Sequence, residues 1–306
     1  MVIVQTSKYD ALIIGGSHAG LSAAMAIGRL KRTALVVDAG AARNSPAEHA
    51  YNIAGSDGIN PIEIRGQARL DLKKYNTIDL LSDSVLKVTK KSEMFEANLQ
   101  SGKTVTSRKI LLAYGVKDVL PPITGIEELW GKSVFHCPYC HGFEVSDRTV
   151  GIMSNGKAAE HLLPLMLNLT ENLVLFTNGK PDLSDTFRGK LEAHGISIVE
   201  DKPTKLEVRD GKLRELKLDN NKSIKIDAFL VSPSMPFQFN GNLANEFACE
   251  KDQMGFIKVD EMGATSVAGV YAAGDIVTMM HSVVSAGATG QAAGAGVVSA
   301  LSLEDF

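Results

Sequence analysis

Short apolar runs, glycine-rich turns and amphipathic stretches alternate along this chain, and the order occurs twice. Residues 9–14 are a β-rich run, followed at once by Gly15-Gly16-Ser17-His18-Ala19-Gly20, a helical stretch over 21–30, and a second apolar strand over 34–37 that ends on Asp38. This is the βαβ order in which a glycine turn lets backbone N–H groups approach a pyrophosphate at a helix N-terminus. Ser17 stands where the second glycine is usual. Asp38 lies at the distance from the turn where a carboxylate accepts from a ribose hydroxyl. Residues 41–60 are rich in Gly, Pro, Asn and Ser and predict a long loop with work to do, such as wrapping a cofactor. Asn60-Pro61 then reads as N-cap and first position of a helix to about residue 75. Alternation over 85–109 predicts an antiparallel meander, and 110–113 a buried strand leading into Tyr114-Gly115.

Pro121, Pro122 and Gly125 mark a first boundary, after which the pattern restarts. Residues 149–153 predict a strand, 154–159 a turn, 160–169 a helix and 173–176 another strand. This second βαβ unit has Ser154 where the first glycine should stand. A 2′-phosphate would want basic side chains just past its second strand. Thr177-Asn178-Gly179-Lys180-Pro181-Asp182 offers one lysine, no arginine and an acid, so NAD(P)H dependence is left open. Residues 208–231 supply further short strands, and Pro233 and Pro236 mark a second boundary. A strand over 269–273 ends in Gly274-Asp275. The segment 285–301 predicts a helix carrying Gly287, Gly290, Gly294 and Gly296, which must pack closely against a neighbour to offset their poor propensity.

With 306 residues, 44% hydrophobic and 22% charged, the composition is that of a soluble protein of two ordinary domains. The net charge of −3, without long runs of one sign, points away from nucleic-acid and membrane surfaces. No basic region with an apolar core opens the chain and no run is long enough to span a bilayer, so the expected location is cytoplasmic. Three cysteines argue against a disulfide scaffold and for a reducing compartment. Two of them form Cys137-Pro138-Tyr139-Cys140, followed by His141. That spacing closes a small disulfide ring and depresses a thiol pKa. Covalent haem attachment, a zinc site and two buried structural thiols are the competing readings. Haem attachment needs export, and zinc needs a second ligand pair at matching spacing, which is absent; no metal is expected. A redox dithiol is favoured where the chain also carries an electron source, and a flavin is the organic carrier that couples such a pair to other donors or acceptors.

An N-terminal dinucleotide βαβ, a Cys-x-x-Cys opening a second βαβ domain and a C-terminal Gly-Asp strand together resemble the low-molecular-weight thioredoxin reductase family, over essentially the whole length. The resemblance implies an α/β fold of two Rossmann-like nucleotide-binding domains (three-layer ββα), the second inserted into the first: 1–117 and 243–306 for FAD, 118–242 for an NAD(P)H-like domain with the Cys pair. It matches Gly15, Gly16, Ser17, His18 and Ala19 to the FAD pyrophosphate loop and Asp38 to the adenosine ribose. Ala113 and Gly115 fall in the family's Ala-Thr-Gly motif, with Tyr114 a departure. Gly274 and Asp275 match the ribityl contacts, and Arg43, Asn44, His281 and Ser282 the residues around the flavin. Cys140 then faces the flavin, Cys137 is the interchange thiol, and His141, where an Asp is usual, is a base beside the thiols. The Cys-Pro-Tyr-Cys-His-Gly stretch is similar to a branch that includes small-molecule dithiol oxidases and ferredoxin-dependent relatives. Three activities are implied: reduction of a thioredoxin-like protein or small disulfide with NAD(P)H or ferredoxin as donor, oxidation of a small dithiol with oxygen as acceptor, or redox sensing by a flavoprotein with little turnover. A homodimer is implied as well.

Overall fold

The computed structural model describes residues 7–232 and 237–306; the expected boundary at Pro233 and Pro236 lies outside them. The chain divides into two compact units. One comprises Met1–Arg43, Ile62–Lys117 and Gln238–Phe306, the other Asn44–Pro61 and Asp118–Phe237.

In the first unit, β1 (Ser7–Ile14), α1 (His18–Arg29) and β2 (Ala34–Asp38) form the expected βαβ. β1 and β2 pair in parallel, with Ala11 opposite Ala34 and Ile14 opposite Val37. Both strands are continuously apolar because both faces are covered, and residues 11–14 and 34–37 are all buried. α2 (Pro61–Leu72), β3 (Ile78–Ser82), β4 (Val85–Lys91), β5 (Met94–Leu99) and β6 (Thr104–Leu112) follow. The sheet order is β3-β2-β1-β6-β5-β4, and the strand Val270–Ala272 also pairs with β6. β4 and β5 are the antiparallel meander. On β5, Phe95, Ala97 and Leu99 turn inward at period two.

The C-terminal helix Val283–Asp305 extends beyond the expected 285–301 because Ser282 caps it, its hydroxyl accepting from the Ser285 N–H at 3.0 Å. It packs on α1 through its glycines. A Cβ on Gly290 would run into the Ala19 carbonyl, and one on Gly294 into that of Ala23. The glycines thus trade helix propensity for backbone contact.

In the second unit, five parallel strands lie in the order Ser197–Val199, Leu173–Phe176, Val150–Met153, Ala228–Val231, Val134–Phe135. The helix Gly156–Met166 starts about four residues earlier than expected, because the Asn155 side chain accepts from the Gly156 N–H at 2.9 Å and caps it there. A three-stranded antiparallel sheet, Pro203–Arg209, Lys212–Leu218 and Ser223–Lys225, shares a core with Trp130, Val134, Phe176 and Phe229. No helix among the described residues is long and apolar enough to cross a membrane.

Candidate active site

The edge strand Val134–Phe135 delivers the chain directly to His136 and Cys137. Pro138, with its fixed φ, opens a single helical turn, Pro138–His141, whose N-cap is Cys137. The turn brings Cys140 back over Cys137: the two form a disulfide, Cα atoms 5.3 Å apart. Both are half-buried, while Tyr139 and Phe143 beside them are 68% and 80% exposed. His141 closes the turn. Its ring stacks on Phe135 at 5.9 Å and 26°, and Tyr51 meets its face edge-on at 6.4 Å and 86°. Burial lowers its pKa, and a ring N–H bonded to the Gly131 backbone offsets part of that. Nε2 is buried without a hydrogen-bond partner. The hydrogen-bond network therefore assigns the proton to Nδ1 and leaves a basic lone pair on Nε2. His136 stacks instead on Trp130 at 5.6 Å and 19°.

Tyr51 gave no sequence signal. It sits in the loop 44–61, which is fastened by an Ala50–Ile59 bridge and by Asp57 Oδ1 accepting from the Asn52 N–H at 2.6 Å. Ala47 is buried where this loop passes Gly131, a glycine at φ +76° whose Cβ would come within 2.9 Å of the Ala47 nitrogen.

The first glycine turn is built as expected. Gly15 has φ +113° and a Cβ there would strike the Ala113 carbonyl; one on Gly20 would strike the Gly15 carbonyl. The glycine missing at Ser17 does no harm, since Ser17 is extended (φ −95°, ψ −164°) and tolerates a side chain. Its hydroxyl makes no capping bond, so the first-turn N–H groups of α1 are left for another acceptor. His18 Nε2 is buried without a partner, and burial first, Arg65 second, push its pKa down to about 4. Open space lies over Gly115, at φ +66°. A Cβ on Gly274 would come within 3.0 Å of the Ala19 Cβ, so the Gly-Asp strand end adjoins the glycine turn. Asp38 accepts from the Gly40 N–H at 3.2 Å and pairs with Arg69, which also donates to the Gly16 carbonyl at 3.2 Å. These features fit the adenosine diphosphate half of a dinucleotide.

Arg43, Asp275 and His281 form one network. Arg43 Nη1 lies 2.6 Å from His281 Nδ1 and 3.4 Å from Asp275 Oδ2, and His281 Nε2 is 3.0 Å from the Asp275 carbonyl. A guanidinium has only donors, so Nδ1 accepts and Nε2 carries the proton to the carbonyl. Burial foremost lowers the His281 pKa, with Asp275 acting the other way and Arg43 adding to the fall. Gly274 is held by its N–H on Thr289 Oγ1 at 3.0 Å. Asn44 belongs to the other unit, its carbonyl accepting from the Ala47 N–H at 3.2 Å. Tyr114, the departure in the Ala-Thr-Gly motif, tilts against Phe239 at 6.5 Å, and burial pushes its hydroxyl up to about 12.

The second glycine turn is filled by the chain itself. Asn155 Oδ1 accepts from Gly156 and Asp182 N–H groups at 2.9 and 2.8 Å, and its amide donates to the Lys180 carbonyl at 3.0 Å. These bonds draw the loop after Leu173–Phe176 to the helix start. A Cβ on Gly156 would lie 3.4 Å from Asp182 Oδ2, so a carboxylate already adjoins the amides a pyrophosphate would use. Arg188 Nη2 donates to the Pro181 carbonyl at 2.8 Å. Ser154 is 6% exposed with its hydroxyl unpartnered. This turn fits a nicotinamide dinucleotide poorly.

Residues 9–160 and 165–290 match the pyridine nucleotide-disulphide oxidoreductase family. Thioredoxin reductase aclD of Aspergillus oryzae is 34% identical over 97% of this chain and 98% of its own length, and thioredoxin reductase sirT of Leptosphaeria maculans is 34% identical over 95% and 94%. The chain belongs to the pyridine nucleotide-disulphide oxidoreductase family. Among solved structures, HlmI superposes with a TM-score of 0.91 at 31% identity (97% of this chain, 94% of HlmI). A thioredoxin reductase TrxB from Bacillus anthracis, so described provisionally, gives 0.91 at 27% (97% and 100%). The fold is the α/β fold of these relatives, with two Rossmann-like domains. The activity class follows from the family: a flavin-dependent oxidoreductase, thioredoxin reductase-like.

Proposed function

We propose that Cys137 and Cys140 are the redox pair of an FAD-dependent thiol–disulfide oxidoreductase, with Cys137 the interchange thiol, Cys140 the resolving thiol and His141 their base. The observation that carries this reading is the disulfide on a single helical turn closed by His141, whose Nε2 is buried and unpartnered. Starting from the reduced pair, His141 Nε2 takes the Cys137 proton, and the thiolate attacks one sulfur of an external disulfide. That forms a mixed disulfide and expels one substrate thiolate, which the imidazolium can protonate. His141, neutral again, takes the Cys140 proton; the Cys140 thiolate attacks Cys137 Sγ, closes the ring and expels the second substrate thiolate, which the imidazolium protonates. Read backwards, the same steps oxidise a substrate dithiol. The flavin, when bound, supplies the two-electron chemistry that renews the pair. Gly15 to Ala19, Asp38, Ala113 and Gly115 would hold the adenosine diphosphate side, and Gly274, Asp275, Arg43, Asn44, His281 and Ser282 the flavin side. The domain roles then divide along the two compact units, Met1–Arg43, Ile62–Lys117 and Gln238–Phe306 for FAD, and Asn44–Pro61 with Asp118–Phe237 for the redox pair.

The filled second turn favours the direction in which a dithiol is the electron source and oxygen the acceptor. The disulfide of a thioredoxin-like protein, with a non-nicotinamide donor such as ferredoxin, is the other substrate class. Trapping tests the thiol roles. Reduced Cys140→Ser should form a stable mixed disulfide at Cys137 with a small aromatic disulfide, about tenfold or more faster than reduced Cys137→Ser forms one at Cys140. Equal rates, or the reverse order, would refute the assignment.

A further inference from the structure

The loop 44–61 and the Cys-x-x-Cys turn belong to the same compact unit. The loop has no periodicity, and ordering that much chain costs entropy that something it places must offset. Its hydrogen bonds hold the two neighbours of one residue. The Ala50 N–H donates to the Ile59 carbonyl, and the Ala50 carbonyl accepts from the Gly58 N–H, both at 2.9 Å. On the other side, the Asn52 and Ile53 N–H groups donate to Asp57 Oδ1 at 2.6 and 3.3 Å. Tyr51, between them, lays its ring over Gly58, where a Cβ would stand 3.5 Å from Cε1. The same ring meets His141 at 6.4 Å and 86°. His141 needs such a partner. Its backbone N–H donates to the Cys137 carbonyl at 3.3 Å, which fixes where the side chain starts but not how the imidazole is turned, since χ2 of a histidine is broad. Phe135 stacks on the ring and Gly131 takes one ring N–H, while Nε2 stays buried and unpartnered. Such a nitrogen stays dry only where apolar surface closes over it. Tyr51 supplies that surface without bringing a charge. Burial first, then Glu144 and Asp57, push its pKa up, so it is a neutral phenol wherever the imidazole titrates. His49 lies 5.9 Å from Tyr51, the two cysteines share the turn with His141, and His136 stacks on Trp130; with Glu144 and Asp57 these are the titratable groups around the pair among the described contacts.

We propose that Tyr51 is a positioning residue for the thiol chemistry: its ring holds the His141 imidazole in place beside Phe135 and keeps water from Nε2, so that the lone pair is left for a thiol proton. This rests on His141 being the base of the redox pair and gives the loop 44–61 a part in that chemistry.

The test has two readouts on the purified protein. One is the rate at which the reduced protein exchanges with 5,5′-dithiobis(2-nitrobenzoate) across the acid limb, and the other is the NMR titration of the His141 ring protons in the oxidised protein. Tyr51→Ala should slow exchange at neutral pH about tenfold, short of the loss on removing a base, because the base is present but poorly aimed. Water reaching the ring stabilises the imidazolium, so the His141 midpoint should rise toward the ordinary value of about 6.5, and the acid limb should move up in pH with it. Tyr51→Phe keeps the ring and should stay within about twofold of wild type, with limb and midpoint unmoved. His49→Gln should also leave the limb in place. If Tyr51→Ala does not fold, Tyr51→Leu is read instead, with the same directions. An unmoved midpoint and limb, even at a lower rate, would overturn the proposal. So would Tyr51→Phe behaving like Tyr51→Ala, or a limb that disappears in His49→Gln. An acid limb that survives in His141→Asn would overturn the base reading beneath it, and the NMR midpoint of His141 would still report whether Tyr51 holds the ring.

Discussion

At the level of single residues, the proposed chemistry rests on His141. It joins the Cys-x-x-Cys motif to the core behind it, through Phe135 and Gly131. As a base it must be neutral, and burial lowers its pKa below the ordinary histidine value, so it stays competent through pH 6.5 and loses that role only as pH falls through the lowered pKa. The acid limb of thiol–disulfide exchange should therefore lie below pH 6.5 in wild type. In His141→Asn, exchange at neutral pH should slow by about 10²-fold or more, the range of a positioned general base, and that limb should vanish. Rapid-mixing rates between pH 5 and 8 check both; an unchanged limb would assign it to another group. The cysteines and His141 were legible in sequence because their chemistry is encoded in adjacent positions. Tyr51 was not, because it acquires its meaning from His141, about ninety positions away.

At the level of elements, glycine carries two different messages. In the first turn, Gly15 answers a backbone requirement, φ +113°, which its strand and helix context makes legible. In Val283–Asp305 the glycines answer a packing requirement, which composition signalled without naming the partner, α1. Gly290→Val should cost about 1–3 kcal/mol or more, as overpacking does, because the side chain would meet the Ala19 carbonyl and cannot rotate clear of backbone. Urea denaturation measures it. Gly287→Ala, where a Cβ finds only the Ser22 hydroxyl at 3.5 Å, should be nearly neutral. Equal losses at the two sites would contradict the packing account. The second turn shows what the pattern leaves out. Its missing arginines were visible, but the four-partner cap built by Asn155 was not, since a single Asn reads as an ordinary turn residue. NADPH should reduce the flavin slowly, with little preference over NADH, in anaerobic stopped-flow traces. Reduction by micromolar NADPH at least tenfold faster than by NADH would show that a working 2′-phosphate site exists after all.

At the level of the whole molecule, the proposal assigns the two halves of one reaction to the two units. One carries the dinucleotide turn and the Arg43–Asp275–His281 network, and the other carries the dithiol. The alternation of strand and helix made both Rossmann-like folds legible. The grouping of Asn44–Pro61 with the second unit was hidden, because that loop has no periodicity and its place is decided by packing at Ala47 and Tyr51. Heat-released cofactor should be FAD rather than FMN, since Asp38 and the glycine turn suit an adenosine half that FMN lacks. The central claim, that electrons pass between Cys137–Cys140 and the flavin, is tested most directly by anaerobic titration of the yellow protein with a small dithiol. The account predicts that the flavin absorbance bleaches in wild type, and that Cys137→Ser/Cys140→Ser keeps its oxidised spectrum under the same conditions. Bleaching of the double variant at the wild-type rate, or none in wild type, would contradict it.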